Sequence, residues 1–313
     1  MILVTGGTGF IGQVLIRQLV EEGRQVRTLI RPSGKTPGLP KGVSVDVAIS
    51  SIYDENNMRS ALIGVDTVYH LVGGEWEGVE TDLDLVEING IRTLLQIGVE
   101  TGLKRIFYLS HIGADRASAY PVLKVKGIVE EHIRKSGIEY TIIRSGLVFG
   151  PGDNFTTTLA KLISISPYLV PIPGKGDTMV QPIWVEDLAT CLAWAIENED
   201  TLNQTFELGG PESISIGDIY QKIIRVLDLR RWVFHMQPSY MRIATIAAEY
   251  FFPWLPFSIY WIDYLAANRT TNVDSVTRWF GVLPARFSHH LDHLQQVNWR
   301  QEVIRDIFSG RRG

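Results

Sequence analysis

Short apolar, β-branched runs alternate with stretches of helical periodicity through the first 150 residues of the chain. The runs that predict strands are Ile2–Thr5, Gln25–Ile30, Val43–Val47, Thr67–Leu71, Arg105–Ser110 and Tyr140–Arg144. The stretches that predict helices are Ile11–Glu22, Met58–Ile63, Leu83–Thr101 and Val122–Ser136. Strands joined by crossover helices pair in parallel, so this alternation predicts an α/β fold with a doubly wound parallel sheet of the Rossmann type.

The alternation loosens after Gly150-Pro151-Gly152, which suggests a change of unit. A helix is still predicted over Ile183–Glu197 and a strand over Thr205–Leu208. We therefore expect residues 1–150 to form a dinucleotide-binding Rossmann domain, to which residues 180–205 return. Residues 151–179 and 206–313 are expected to form a smaller C-terminal α/β lobe that binds a substrate or a partner.

A glycine-rich segment follows the first predicted strand and opens the first predicted helix. Residues Gly6–Gly12 match both Gly-x-Gly-x-x-Gly and Gly-x-x-Gly-x-x-Gly, in the strand-to-helix context that this pattern requires. Glycine lets the backbone approach a pyrophosphate closely, and the helix N-terminus supplies amide donors and positive potential. We therefore expect the pyrophosphate of a nicotinamide dinucleotide to bind at Gly6, Thr8, Gly9, Phe10, Ile11 and Gly12.

The residue after the second predicted strand indicates which dinucleotide is bound. In proteins that bind NAD, an acidic residue about 20 positions beyond the glycine turn contacts the ribose. Here Arg31 stands at that place, and no carboxylate occurs between Glu22 and Asp46. Because a guanidinium can clamp a 2′-phosphate bidentately, the sequence favours NADP(H) over NAD(H). A solvated surface arginine is the alternative interpretation of Arg31.

Six segments of the chain resemble one known family. They are Thr5–Gly12, Gly64–Leu71, Arg105–Ser110, Arg144–Asp153, Gln181–Ala189 and Glu207–Glu212. Together they resemble the atypical, NmrA-like branch of the short-chain dehydrogenase/reductases, within the NAD-dependent epimerase/dehydratase superfamily. Within that branch the chain is similar to the group that contains the Rossmann-fold accessory subunit of respiratory complex I and its bacterial relatives. The resemblance implies the fold, and it does not single out one reaction.

Reductases of this superfamily use a Tyr-x-x-x-Lys pair, in which the tyrosine exchanges a proton with the substrate. Tyr120 and Lys124 have that spacing. On the predicted helix, however, Lys124 lies opposite the apolar arc and Lys126 borders it, so an apolar face turned to the sheet would carry Lys126 to the cofactor cleft. We predict Tyr120 and Lys126 as catalytic candidates, with Lys126 on the nicotinamide ribose and Lys124 as the alternative.

The ends of two central strands supply the other candidates. Ser110 ends a predicted strand where doubly wound sheets bind ligands, so its hydroxyl is assigned to catalysis and to the cofactor, with a turn cap as the alternative. His111 is a second candidate proton donor because histidine titrates near neutrality. Leu71, Val72 and Gly73 are assigned to the cofactor site, and no residue pattern predicts a metal site.

Residues 250–262 are unusually rich in aromatic side chains. Pro253 and Pro256 preclude one continuous helix there. We expect this segment to be partly exposed and to close over a small apolar substrate or dock on a protein partner. Peripheral contact with a membrane, and packing in the core of the smaller lobe, are the alternatives.

Composition narrows the class of protein further. A net charge of −4 leaves no electrostatic footprint for nucleic acid, so no nucleic-acid partner is expected. The one cysteine, Cys191, fits a reducing compartment. No apolar run reaches the roughly 18–20 residues of a spanning helix, and Met1 leads directly into the first strand, so we expect no signal peptide. These features favour a cytoplasmic protein, with peripheral membrane contact left open.

Three functions are compatible with these residues. The first is an NADP(H)-dependent oxidoreductase that acts on an apolar carbonyl, enone or quinone-like substrate. The second is a cofactor-binding accessory or assembly protein of a redox complex with little turnover, which the misplaced Tyr-x-x-x-Lys pair favours. The third is a nucleotide-sugar epimerase or dehydratase.

Overall fold

A seven-stranded parallel sheet forms the centre of the protein in a computed structural model that describes residues 1–32, 38–73, 83–251 and 259–309. The strands, in chain order, are β1 (Ile2–Thr5), β2 (Val26–Ile30), β3 (Asp46–Ile49), β4 (Thr67–His70), β5 (Arg105–His111), β6 (Glu139–Ser145), β7 (Val148–Phe149), β8 (Leu169–Pro173), β9 (Met179–Val180), β10 (Ile183–Trp184), β11 (Gln204–Leu208), β12 (Ile214–Ser215) and β13 (Trp232–Met236). The large sheet has the order β11-β6-β5-β4-β1-β2-β3.

Helices connect these strands along the whole chain. The α-helices are α1 (Phe10–Glu21), α2 (Glu55–Leu62), α3 (Gly90–Thr101), α4 (Pro121–Lys135), α5 (Asn154–Ile165), α6 (Val185–Ala195), α7 (Ile216–Val226), α8 (Pro238–Phe251), α9 (Ile259–Tyr264), α10 (Ser275–Phe280) and α11 (Trp299–Ser309). A π-helical turn, Asp84–Asn89, leads into α3, and short 3-10 turns lie at Glu199–Thr201, Phe287–His289 and Asp292–Leu294.

Two apolar cores cover the two faces of the large sheet. On one face, α2, α3 and α4 pack against the sheet through residues such as Met58, Leu94 and Val129. On the other face, α1 and α6 contribute Leu15 and Leu192 to a second core. The doubly wound α/β fold predicted from the alternating pattern is confirmed.

A third core belongs to a smaller lobe built from α5, α7, α9 and the C-terminal segments. Among the described residues, three two-stranded ladders lie outside the large sheet: β7 with β10, β9 with β12 and β8 with β13. The chain returns to the large sheet through α6 and β11, and β11 pairs with β6 as far as Leu208. This strand corresponds to the one that the sequence pattern predicts over Thr205–Leu208.

Several elements differ from the sequence pattern in their bounds, and two of them have a clear physical reason. The third strand, which the pattern predicts over Val43–Val47, lies at Asp46–Ile49 on the edge of the sheet. An edge strand pairs on one side only, so few of its side chains are buried and the hydrophobic pattern defines its ends poorly. The helix predicted over Leu83–Thr101 begins with the π-helical turn and becomes α-helical at Gly90.

Candidate functional site

The glycine turn between β1 and α1 brings backbone into very close contact with backbone. Gly6 has a φ of +78°, and a Cβ atom on Gly12 would lie 2.2 Å from the Gly6 carbonyl oxygen. The first turn of α1 starts after Gly9 without a side-chain cap. Its amides are thus available to an anionic group, as at other helix N-termini that bind phosphate.

A cavity of about 820 Å³ extends from this turn along the carboxyl edge of the sheet. It is bounded by residues at or just beyond the strand ends: Gly6 after β1, Arg31 after β2, Ser50 after β3, Leu71 after β4 and His111 at the end of β5. Of the residues assigned to the cofactor, all but Ser110 line it: Gly6, Thr8, Gly9, Phe10, Ile11, Gly12, Arg31, Leu71, Val72, Gly73 and Lys126. Its volume is within the usual range of ligand pockets.

The charged side chains that line the cavity are, among the described residues, Arg31 and Lys126. Arg31 is exposed at the end of β2, and Lys126 is buried below the opposite part of the cavity. Within the residues that the structure describes, the cavity lining contains no carboxylate. The electrostatic environment therefore suits a ligand that carries phosphate groups.

Lys126 is held in place by a buried ion pair. Its Nζ lies 3.0 Å from Glu87 Oε2, on the π-helical turn, and 5.5 Å from the centre of the Tyr108 ring. Only 2% of Lys126 is exposed, whereas Lys124, two positions earlier on α4, is exposed to solvent. The face of α4 that packs on the sheet thus carries Lys126, and Lys124 points away from the cavity.

Ser110 lies elsewhere than the sequence suggested. Successive side chains of a strand point to opposite faces, so Leu109 and His111 line the cavity while Ser110 faces α4. Its buried hydroxyl donates to Glu130 over 2.7 Å. Ser110 is therefore buried between β5 and α4. This position gives no support to its predicted catalytic and cofactor-binding roles.

Glu130 is the centre of a buried polar network. Its carboxylate accepts two hydrogen bonds from Arg144, at 2.9 and 2.8 Å, and one from Arg134 at 2.7 Å. Burial raises the pKa of Glu130, but the hydrogen bonds from Arg144, Ser110 and Arg134 lower it by more, so the net shift is downward. The network joins α4 to β5 and β6, the strands whose ends reach the cavity.

Tyr120 stands just before α4, in extended conformation, and is not among the residues that line the cavity. The Arg269 guanidinium lies 6.0 Å from the centre of its ring. This placement argues against the predicted role of Tyr120 as proton donor. The Tyr-x-x-x-Lys spacing did not reveal this placement, because the side chain of the residue before a helix need not point in the same direction as one face of the helix.

An aromatic cluster closes the other end of the cavity. His111, Tyr260, Trp261 and Tyr264 all line it, and Tyr260 Oη lies 3.4 Å from His111 Nε2. The ring of His111 also lies edge-on to that of Tyr264, with centres 6.1 Å apart. Tyr260 was not singled out from the sequence, although the aromatic composition of its segment was a signal.

The aromatic segment 250–262 divides into parts with different surroundings. Residues 252–258 lie outside the described residues. Tyr250 and Phe251, at the end of α8, are exposed, whereas Tyr260 and Trp261, on α9, are buried. The exposed part of the segment is therefore Tyr250 and Phe251, whereas Tyr260 and Trp261 line the cavity.

Comparison with known proteins assigns the chain to a family. The model of the NmrA-like family matches residues 1–228. The chain belongs to the NmrA-like family. The match covers the parallel sheet and the glycine turn, and it ends before the aromatic residues Tyr260, Trp261 and Tyr264 that line the cavity.

Individual relatives of this NmrA-like chain have diverse names. Over 77% of its length it is 26% identical to NADH dehydrogenase (ubiquinone) 1 alpha subcomplex subunit 9, mitochondrial, of Arabidopsis thaliana, and it covers 59% of that protein. It is 23% identical to the photosystem II assembly factor Ycf39 of Cyanophora paradoxa, over 96% of both chains. The chain spans less than two thirds of the complex I relatives that it matches.

Solved structures agree with this assignment at the level of the fold. The NADPH-dependent quinone oxidoreductase QOR2 of Escherichia coli superposes with a TM-score of 0.74, at 18% identity, over 94% of this chain and 99% of that one. Such low identity establishes a shared fold. The reaction of the NmrA-like chain has to be argued from its own cavity.

The Glu130 network should contribute strongly to stability. We expect Arg144→Met to lower the free energy of unfolding by about 3 kcal/mol, because it leaves a buried carboxylate short of two charged hydrogen bonds. Arg134→Met, the matched control, should cost about 1 kcal/mol or less, because Arg134 is exposed. Urea unfolding at neutral pH measures both, and equal losses would contradict this account.

The same difference should depend on pH. Since the folded pKa of Glu130 lies below the ordinary value of 4.5, its stabilising contribution is present above about pH 4.5 and is lost as the pH falls through the folded pKa. The gap in stability between wild type and Arg144→Met should therefore narrow in acid. A gap that is constant from pH 7 to the acid limit would show that packing, and not charge, makes the difference.

Proposed function

We propose that the protein is an NADP(H)-dependent oxidoreductase that reduces an apolar carbonyl, enone or quinone-like substrate. One observation carries the proposal: a single cavity joins the glycine turn to an aromatic end that holds two groups able to exchange a proton, His111 and Tyr260. A dinucleotide at the turn and an apolar substrate among the rings would meet in that cavity. A solved protein of the same fold is an NADPH-dependent quinone oxidoreductase.

The cofactor end of the cavity fits a dinucleotide phosphate. The uncapped amides at the start of α1 would bind the pyrophosphate, and Arg31 would contact the 2′-phosphate that distinguishes NADP from NAD. Lys126 would contact the nicotinamide ribose while keeping Glu87 as its buried partner. When bound, NADPH supplies the hydride that the substrate carbon accepts.

The aromatic end supplies the proton that must accompany the hydride. Each hydride delivered to a carbonyl carbon leaves the oxygen in need of one proton. Tyr260 would donate that proton from its hydroxyl, and His111, at 3.4 Å, would return a proton to the phenol. Trp261 and Phe155, whose ring centres are 4.6 Å apart, form an apolar wall beside these groups and exclude water from them.

A second function, that of a cofactor-binding accessory or assembly protein, is favoured by other observations. Tyr120 does not line the cavity, and the charge of Lys126 is already balanced by Glu87. Two relatives are named as a subunit of NADH dehydrogenase and as an assembly factor of photosystem II. Tight NADPH binding without turnover of quinones, enones or ketones would favour this function. For either function, we propose that the protein acts in the cytoplasm.

Arg31 should determine the choice of cofactor. We expect the wild type to bind NADPH at least tenfold more tightly than NADH, a difference of about 1.4 kcal/mol. Arg31→Ala should abolish this preference, because it removes the group that contacts the 2′-phosphate. Arg305→Ala, which changes an exposed arginine on α11, is the control and should leave the preference intact. Calorimetric titration measures these affinities, and a preference that survives in Arg31→Ala would refute the assignment.

Tyr260 should be required for turnover. In NADPH oxidation assays with quinones, enones and ketones, we expect Tyr260→Phe to lower kcat about 100-fold, the usual loss for a missing proton donor, with little change in NADPH affinity. Tyr264→Phe is the matched control. The Tyr264 hydroxyl is buried without a hydrogen-bond partner among the described residues, so its removal should leave kcat nearly unchanged. Equal rates for Tyr260→Phe and wild type would assign the proton to another group.

A further inference from the structure

Helix α8 exposes most of its large apolar side chains and buries two polar ones, which is unusual for a surface helix. The residues that it buries against the protein are Met241, Thr245 and Glu249, one per turn. Its exposed face carries large apolar side chains, of which Tyr250 is 77% and Ile243 66% exposed. A surface helix usually buries its apolar stripe and exposes its polar one.

Specific polar contacts hold α8 in this orientation. Arg242 forms an ion pair with Asp263 on α9, and the Glu249 carboxylate accepts a hydrogen bond of 3.0 Å from the backbone amide of Ile259. Both contacts tie α8 to α9, the helix whose inner side lines the cavity. The outward direction of the apolar face is therefore built into the packing of the smaller lobe.

The ladder that precedes α8 in the chain carries further exposed apolar side chains. Strand β13 precedes α8 directly and pairs with β8, so that Trp232 lies opposite Leu169. Both of these side chains are exposed, as is Tyr168, whose carbonyl accepts a hydrogen bond from the Trp232 amide. We call the surface formed by these three residues and the outer side of α8 the α8 face. Its exposed members on α8 are Tyr240, Ile243, Ile246, Tyr250 and Phe251.

The charges beside this surface indicate what covers it. From Leu229 to Ala248 the chain has three arginines, Arg230, Arg231 and Arg242, and no carboxylate, although the whole chain has a net charge of −4. Arg242 is balanced by Asp263 on α9, which leaves Arg230 and Arg231 as the cations beside the apolar surface. An exposed apolar face with tyrosine and tryptophan next to such arginines is typical of a helix that lies in a lipid interface. Anionic lipid headgroups would complement these arginines.

We propose that the α8 face binds the surface of an anionic lipid bilayer, with α8 lying parallel to the membrane plane. Among the described residues, none of the helices has both the length and the apolar character that crossing a bilayer requires. The contact that we propose is with the membrane surface. Because α8 is tied to α9, the membrane would lie next to the aromatic end of the cavity. That arrangement would suit an apolar substrate taken from the lipid phase.

The test uses the purified chain of 313 residues and vesicles of phosphatidylcholine, with and without phosphatidylglycerol, in a co-sedimentation assay. We expect binding to the anionic vesicles that weakens at least tenfold in the double variant Ile243→Ser with Tyr250→Ser. Arg230→Gln should weaken binding about fivefold on anionic vesicles and leave binding to phosphatidylcholine unchanged. The matched control is Leu283→Ser with Ile63→Ser, which removes apolar residues of similar exposure, 84% and 67%, outside the α8 face. The control should bind as the wild type does.

Two further measurements distinguish a loss of membrane binding from a loss of folding. Thermal unfolding checks that the helix variants are folded, and Trp232→Ser on β13 provides the same test without any change in α8. Absence of vesicle binding by the wild type, or equal binding by the α8 variants and the control, would overturn the proposal. So would a homodimer in light scattering that dissociates in the double variant, since a second copy of the chain would then cover the α8 face.

Discussion

The parallel pairing of β1 with β4 is the constraint on which the site depends. The register sets Thr5 beside His70, and the Leu71 amide then donates to the Thr5 carbonyl over 3.0 Å. Gly6, the next residue, has no room for a side chain, because a Cβ atom there would lie 2.7 Å from the Leu71 carbonyl oxygen. Every strand of the sheet runs the same way, so the segments after β1 to β6 all begin at one edge, where the cavity forms.

Buried charges keep that edge in position. Helix α4 carries Lys126 and Glu130 one turn apart, and each is paired, Lys126 with Glu87 and Glu130 with Arg144. A charge in the interior is tolerated only when it has such partners. The effect reaches neighbouring groups: burial, and then the positive charge of Lys126, lower the pKa of His70 to about 3, so that this imidazole is neutral where it contacts Thr5.

The aromatic residues of the smaller lobe point in two opposite directions. Helix α9 turns Tyr260 and Trp261 inward, to the cavity and the lobe core. Helix α8 turns Tyr240 and Tyr250 outward. The ion pair between Arg242 and Asp263 and the bond from Ile259 to Glu249 connect the two helices, so the position of one limits that of the other. A group that binds to the outer side of α8 would thus be coupled, through α9, to the aromatic end of the cavity.

The sequence by itself determined the doubly wound sheet, the glycine turn and the face of α4 that carries Lys126. These features depend on local rules: the period of apolar residues, the freedom of glycine and the angle of 100° per residue in a helix. Only the tertiary structure decided that Ser110 faces Glu130, that Tyr120 lies off the cavity, and that Tyr260 meets His111. Those three outcomes depend on which segments become neighbours across 20 to 149 positions of chain. Composition shows that a segment is aromatic, but the direction in which each ring points is set by the packing of whole elements against one another.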